Sequence, residues 1–412
     1  MHVERRAALN LLMNHRAPAA PLHVLAFNSG SSSLKFGLYA VRAGRAACLA
    51  SGEAQKIGHA HSVFRVTDAV GRVVCLDTLP LRTPHDVIER VGRWLIASGA
   101  PVPQAVGHRV VHGGPSLRRH CRIDDTVMQQ LQAAQVFAPL HTPAVLAVIR
   151  SAQSAYPGLA HVACLDTVFH ARVPAVASVL PLPAALRAHG IQRYGFHGLS
   201  CEFIVVQLAQ AAPGHLPGRL LIAHLGNGAS VTAVRDGVSI DTSMGLTPSG
   251  GPIMGTRSGD LDPGVLVYLA RHQHYDATML EDLVDHRSGM VGISGLSGDM
   301  RALHAAAATD ADAGLAIRMF CYAVRKQLAA MWVVLDGADA LVFTGGIGEN
   351  DATVRAEICL GLWSLGVQTD DTRHRALANP ISSASSSCQV HVLPSLEDEQ
   401  IALHTAALVG AP

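Results

Sequence analysis

The sequence predicts an α/β chain of two related domains that face each other across a cleft. Three observations predict it. The chain has 412 residues, more than one hydrophobic core usually organises. An apolar run at residues 22–27 enters Asn28-Ser29-Gly30-Ser31-Ser32-Ser33 and leaves through the alternating Leu34-Lys35-Phe36-Gly37-Leu38-Tyr39, which reads as two strands joined by a tight turn. The same plan recurs at residues 221–234, where His224-Leu225-Gly226-Asn227-Gly228 forms the turn, and Asn28-x-Gly30 answers to His224-x-Gly226.

The turns carry a chemistry. Each gathers backbone N–H groups around a small volume, and the first adds the hydroxyls of Ser29, Ser31, Ser32 and Ser33. Lys35 lies two residues past Ser33 on the same strand face, so a cation completes the set. Clustered donors with a nearby cation suit a phosphate. Taken alone, the first hairpin reads equally as a serine-rich tip with a solvated lysine. Two copies a domain length apart favour a pair of phosphate-holding turns across a nucleotide cleft.

Composition narrows the class. Apolar residues make up 49% of the chain and charged residues 15%, which argues against long disordered stretches. A net charge of +1 offers no electrostatic case for nucleic acid or an anionic membrane. Eight cysteines are scattered without a C-x-x-C pair, as expected for thiols in a reducing, cytoplasmic setting without structural zinc. Charges or glycines interrupt every apolar run before it reaches membrane-spanning length. Residues 1–21 hold Arg5, Arg6 and Arg16 but no apolar signal-peptide core, and read as a frayed extension.

Taken in order, residues 47–55 and 63–79 read as further short strands. Thr83-Pro84-His85-Asp86 opens a helix with Thr83 as its cap. Residues 105–111 form an apolar strand that contains Arg109, and a buried arginine needs an anionic partner; an edge arginine paired with a surface carboxylate is the alternative. A helix starts around Pro139-Leu140-His141-Thr142-Pro143, where His141 reads as a polar core residue before a ligand. Residues 162–170 read as a strand with Asp166 near its C-terminal end, where ligands of open α/β sheets collect, although a helix cap would also use it. In Arg193-Tyr194-Gly195-Phe196-His197-Gly198 the glycines allow a backbone to approach a ligand beside His197, or simply hold a histidine in a turn. Pro252-Ile253-Met254-Gly255-Thr256-Arg257-Ser258-Gly259-Asp260 is a loop of the length that usually carries function. Ala-rich helices are expected at 263–274, 277–286 and 299–338. Residues 341–350 read as a strand entering Gly345-Gly346-Ile347-Gly348-Glu349-Asn350, residues 390–394 as the last strand, and Glu397 begins the last helix.

Together these motifs resemble the acetate kinase family, within the superfamily of acetate and sugar kinases, Hsp70 and actin. The resemblance spans residues 23–408 and rests on N-S-G-S-S-S-L-K-F, G-H-R-V-V-H-G-G, P-L-H-x-P-A, D-T-x-F-H, R-Y-G-F-H-G, H-L-G-N-G, D-T-S-M-G-x-T-P, M-G-T-R-S-G-D-x-D-P-G and F-T-G-G-I-G-E-N, in that order. It implies two actin-like, ribonuclease H-like domains, residues 22–166 completed by the C-terminal helix 398–412, and residues 167–397. It implies reversible transfer of phosphate between ATP and acetate, giving acetyl phosphate and ADP, with Mg²⁺ or Mn²⁺, in a homodimer. Propionate kinase chemistry differs only in pocket size. A nucleotide-switched binding protein of the Hsp70 or actin type would leave Arg109 and Arg257 without a purpose.

Residue by residue, the resemblance makes Asn28 and Glu397 metal-linked and puts Ser31, Ser33 and Lys35 in the first phosphate hairpin. Arg109 matches the arginine that holds the substrate carboxylate, Asp166 the catalytic acid, and His197 and Arg257 the transition-state stabilisers. His224, Leu225, Gly226, Asn227, Gly228, Asp299, Met300, Arg301, Gly346, Ile347, Gly348, Glu349 and Asn350 match nucleotide contacts. Val111, Leu140, Phe196 and Pro248 match the lining of a small acyl pocket. The chain departs from the family at Thr142, Leu199, Cys201, Ser249, Gly250, Gly298, Met300, Ser395, Leu396 and Asp398, none of them a proposed catalytic group. The chemistry fits on its own terms, because bringing a carboxylate to a triphosphate calls for alignment and cations.

Overall fold

A computed structural model describes residues 20–30, 33–139, 142–212 and 214–410. The duplicated α/β plan expected from the two hairpins is present as two mixed sheets. The first contains β1 (Leu22–Ser29), β2 (Ser33–Arg42), β3 (Arg45–Gln55), β4 (Ser62–Asp68), β5 (Val73–Leu79), β6 (Ala105–Val110), β7 (Cys121–Arg122) and β8 (Ala160–Leu165), in the order β5-β4-β3-β2-β1-β6-β8-β7. The second contains β9 (Arg219–Leu225), β10 (Ala229–Arg235), β11 (Val238–Thr242), β12 (Ala340–Thr344) and β13 (Gln389–Val392), in the order β11-β10-β9-β12-β13. In each sheet an antiparallel meander leads into two parallel strands. β3-β2-β1-β6-β8 and β11-β10-β9-β12-β13 are therefore the same arrangement used twice.

Alternation along the strands divides each sheet into two faces. Leu25, Phe27, Phe36, Leu38 and Val106 share a core with Val87, Ile88 and Val91 of the helix Pro84–Ser98. That helix starts as its sequence dictates: Thr83 and Asp86 form a reciprocal capping box, with Pro84 in the first turn. On the opposite face Val24, Ala26, Val162 and Cys164 pack with Ile401 and Ala402 of the helix Glu397–Gly410. The C-terminal helix thus returns to cover the first sheet.

The second sheet is covered by the long helix Ala311–Leu335. The expectation of one helical stretch across 299–338 needs correction. Met300–Ala306 and Ala311–Leu335 are separate helices. The Asp310 carboxylate accepts from the amides of Asp312 and Ala313, and so restarts the chain with a new cap.

Histidines inside the core predict a pH effect. His108 and His161 are 1% and 5% exposed, and their facing ring nitrogens lie 3.0 Å apart. Burial holds both below the ordinary histidine range. The unfolded chain takes up these protons near pH 6.5, whereas the folded one resists until lower pH. Their contribution to stability is therefore complete above about pH 6.5 and is lost as pH falls through that value. A His108→Asn variant, less stable at neutral pH, should show a shallower decline of its urea midpoint on acidification than the parent.

Candidate active site

The two hairpin turns open onto one cleft of about 820 Å³. Asn28, Gly30, Ser33 and Lys35 line it from the first sheet, and His224, Gly226, Asn227 and Gly228 from the second. Arg109, Asp166, His197 and Arg257 line it too, as do Val111, Phe196 and Pro248, and Glu397 at the start of the last helix. Ser31, Leu140 and His141 lie outside the described residues.

Topology accounts for this convergence. Arg109 is the last residue but one of β6, and Asp166 directly follows β8 beside it, so both stand at carboxyl ends of adjacent parallel strands. The Arg109 guanidinium grips one oxygen of Asp166, with Nε at 3.0 Å and Nη2 at 2.6 Å from Oδ2. Nη1 donates to Asn28 Oδ1 at 3.2 Å, and Nε lies 3.6 Å from Glu397 Oε2. The anionic partner required of a buried arginine is therefore Asp166, in the interior and not at a surface edge.

Asn28 turns its amide the other way. Its Nδ2 donates to Glu397 Oε2 at 3.1 Å and to Asp398 Oδ1 at 3.0 Å. Three acids, Asp166, Glu397 and Asp398, thus crowd around Asn28 and Arg109. Burial pushes Asp166 up to about 6 against the pull of Arg109. Burial also works to raise Glu397, but Arg109, His224 and Asn28 hold it below its ordinary value. Asp166 Oδ1 is buried with no hydrogen-bond partner, an unspent hard oxygen of the kind a Mg²⁺ ion or its water takes. The donor set fits such a group.

The second domain brings His197 and Arg257. His197 caps the helix Gly198–Ala211 with φ at 57°, a conformation costly for a residue with a Cβ and often kept at functional sites. The next residue must be glycine, since a Cβ on Gly198 would stand 2.1 Å from Asp166 O. His197 Nδ1 bonds Ser230 Oγ at 2.9 Å, and burial holds the ring well below the usual histidine range. A Cβ on Gly228 would come within 3.3 Å of His197 Nε2 and 3.4 Å of Arg257 Nη1, so the second hairpin's tip lies close beside both and leaves room for them only as glycine. Among the described residues Arg257 has no ion pair; Nη1 donates to Pro248 O at 3.3 Å, and burial lowers its pKa.

Other predicted contacts stand apart. Leu225 is fully buried in the second core, and Met300 is 4% exposed. Asp299 caps the helix Met300–Ala306 and pairs with Arg301. None of these four lines the cleft, nor do Ile347, Gly348 and Asn350, whereas Gly346 and Glu349 do. Tyr39, Cys48, Ser51 and Asp398 line it without having been expected. Tyr39 was accessible from strand alternation, being four residues on from Lys35. Asp398 had no sequence cue beyond its place beside Glu397.

A second cluster, His120, Glu202 and His404, has metal-like spacing. His120 Nδ1 accepts the Leu165 N–H at 3.0 Å. A neutral ring that accepts at Nδ1 carries its hydrogen on Nε2, which removes Nε2 as a metal ligand in this geometry.

The sequence profile described as the Acetokinase family matches residues 23–403. The chain is 41% identical over 401 residues to an acetate kinase of Methylocella silvestris, across 94% of this chain and 98% of that one. It is 41% identical over 392 residues to an acetate kinase of Rhizobium meliloti, across 94% and 99%. Among solved structures, a propionate kinase from Francisella tularensis superposes with a TM-score of 0.88 at 35% identity, covering 94% of this chain and 100% of that one. The acetate kinase of Porphyromonas gingivalis does so with 0.84 at 32% identity and the same coverage.

Proposed function

The chain belongs to the acetokinase family and is a phosphotransferase with a carboxyl group as acceptor, and we propose that its cleft aligns the γ-phosphate of ATP with acetate between Arg109 and Arg257. An acetate oxygen forms a bond to the γ-phosphorus while the bond from phosphorus to the β–γ bridging oxygen breaks. ADP leaves with that electron pair. Acetate is already ionised at neutral pH, so no general base is needed. The observation that carries this reading is the meeting of both hairpin turns with two arginines and a histidine in one cavity.

The roles follow from position. Gly30, Ser33 and Lys35 on one side, and Gly226, Asn227 and Gly228 on the other, hold the phosphates. Gly346 and Glu349 stand at the nucleotide end. Arg109 has N–H groups left after binding Asp166 and Asn28, and these face the acetate carboxylate. Arg257 and His197, together against Gly228, stabilise charge on the transferring group. Glu397 and Asp166 would hold Mg²⁺ or Mn²⁺, with Asn28 holding Glu397 in place. The ion, when bound, neutralises phosphate charge. Residues 22–166 with the C-terminal helix, and residues 167–397, act as two domains whose closure excludes water. The packing of Ile401 and Ala402 on the first sheet supports that division.

Val111, Phe196 and Pro248 close the acyl side, which favours a methyl over an ethyl group. One methylene is worth roughly 1–3 kcal/mol. The kcat/KM for acetate should exceed that for propionate, and Val111→Ala should narrow the gap about tenfold; a propionate preference in the parent would overturn the acetate assignment. Placement of a bound ATP analogue between residues 28–35 and 224–228 tests the cleft itself.

We also read the assembly as a homodimer. The helix Pro263–His272 buries none of its residues, and Leu261, Val265, Val267 and Tyr268 are 42–55% exposed, an apolar face that a second copy would cover. Tyr268→Glu should shift sedimentation toward monomer. No helix among the described residues is long and apolar enough to cross a membrane, and all eight cysteines are free thiols, which supports a cytoplasmic setting.

A further inference from the structure

Behind His224 runs a line of hydroxyls to which the reaction above gives no part. Ser395 Oγ donates to Ser200 Oγ at 3.0 Å. Ser200 Oγ lies 2.8 Å from His224 Nδ1. A hydroxyl has one hydrogen to give. Ser395 gives its hydrogen to Ser200, and Ser200 has its own left for Nδ1. A neutral ring carries a hydrogen on only one nitrogen, so with Ser200 donating to Nδ1 that of His224 lies on Nε2.

The surroundings keep the ring neutral and still. His224 stacks on His197 with centroids 4.0 Å apart and planes 19° from parallel. Burial lowers its pKa, and Arg109 adds to the effect against Glu397. Ser200 is fully buried in the first turn of the helix that His197 caps. Ser395 is held in turn: its amide donates to Glu349 Oε1 at 2.9 Å, the oxygen that also accepts the Gly345 amide at 3.0 Å. The line from Glu349 through Ser395 and Ser200 to His224 is hydrogen-bonded throughout.

We propose that Ser200 and Ser395 are positioning residues that fix His224 with its hydrogen on Nε2, so that a donor and not a lone pair faces the phosphates of ATP. The opposite tautomer would set a lone pair against a phosphate oxygen and repel it. The proposal rests on the reading of the cleft as the ATP site. It also gives Ser200 a purpose that its helix position alone does not require.

The test joins a spectroscopic and a kinetic readout on the full chain. Nitrogen-15 NMR of histidine-labelled protein, with the His224 signals identified by their loss in His224→Ala, should show Nε2 protonated and Nδ1 as a hydrogen-bonded acceptor. In Ser200→Ala the Nδ1 signal should lose its hydrogen-bonded shift. The kcat/KM for ATP should fall roughly tenfold, the loss of one well-placed neutral hydrogen bond, with the KM for acetate unchanged. Ser200→Thr should restore both. Ser395→Ala should move the same signal and the same kinetic constant by less. A hydrogen on Nδ1 in the parent, or a Ser200→Ala variant with parental ring signals and parental kcat/KM for ATP while His224→Ala is impaired, overturns the proposal alone. If His224→Ala binds and uses ATP as the parent does, the placing of His224 at the phosphates fails, and the proposal falls with it.

Discussion

Arg257→Ala should lower kcat by about a thousandfold without loss of folding stability. Arg257 is a half-buried guanidinium with no ion pair among the described residues; its Nη1 reaches Pro248 O and Met254 Sδ, and only the more distant Asp285 carboxylate favours its charge. Partly desolvating a cation that has no carboxylate in ion-pair range costs stability, so its removal does not strain the fold as removal of a paired charge would. The charge serves the reaction. Its place beside the tip of the second hairpin, where only a Cβ on Gly228 would reach van der Waals contact with it and with His197, sets it where charge moves as phosphorus changes partners. Arg257→Lys keeps the charge but loses the planar fork, and should recover only part of the rate. Steady-state kinetics with ATP and acetate, alongside urea midpoints, check both halves. A loss of kcat below tenfold would take Arg257 away from the transferring group.

Arg109→Ala should behave in the opposite way and cost both stability and activity. Asp166 is fully buried, Glu397 partly so, and both lean on the same guanidinium. Removing it leaves Asp166 without its cation, and leaves Glu397 and Asp398 only the more distant Lys35. Breaking a buried pair by deleting one partner costs about 3–5 kcal/mol. The loss should shrink on acidification, because the abandoned carboxyls then take up protons in the folded state. Their folded pKa values, raised above those of the unfolded chain, make the variant relatively more stable at low pH and weaker as pH rises through them. Urea midpoints at about pH 7.5 and about pH 5.5 should therefore differ less from the parent at the lower value. The milder Arg109→Lys keeps a cation for Asp166 but loses its two-pronged grip, so the KM for acetate should rise strongly while that for ATP changes little. Equal changes in both would move Arg109 from the acetate carboxylate.

The two variants separate two uses of one residue type. Arg109 is structural and functional together, since the same N–H groups that orient Asp166 leave others free. Arg257 has no structural debt. Alanine at the first should unfold the site, whereas alanine at the second should silence it.

Local features were legible in the chain because they depend on near neighbours. The Thr83 cap, both glycine turns and the placement of Asp166 at a strand end follow from backbone rules that act over a few residues. Leu225, Ile347 and Met300 lay within contiguous motifs that resemble nucleotide contacts, yet Leu225 and Met300 point into the second core. For Leu225, on β9, a motif read as a continuous run ignores the alternation that sends successive strand side chains to opposite faces. His224 and Leu225 show it plainly: one faces the cleft, and the next is buried.

What the chain determined by itself was the kind of machine: two repeated hairpins for phosphate, cations in number, and a duplicated α/β plan, each written in short stretches of residue type and spacing. What only the tertiary structure decided was the pairing of charges: that Arg109 answers to Asp166 and Glu397, that Arg257 has no carboxylate within ion-pair range among the described residues, and that Ser395 reaches His224 through Ser200. Those partners are separated by 57, 171 and 195 residues in the case of Asp166, Ser395 from His224, and Ser395 from Ser200. Over such spans, chain spacing says nothing about distance, and only the packing of the C-terminal helix and the two sheets brings the groups within reach.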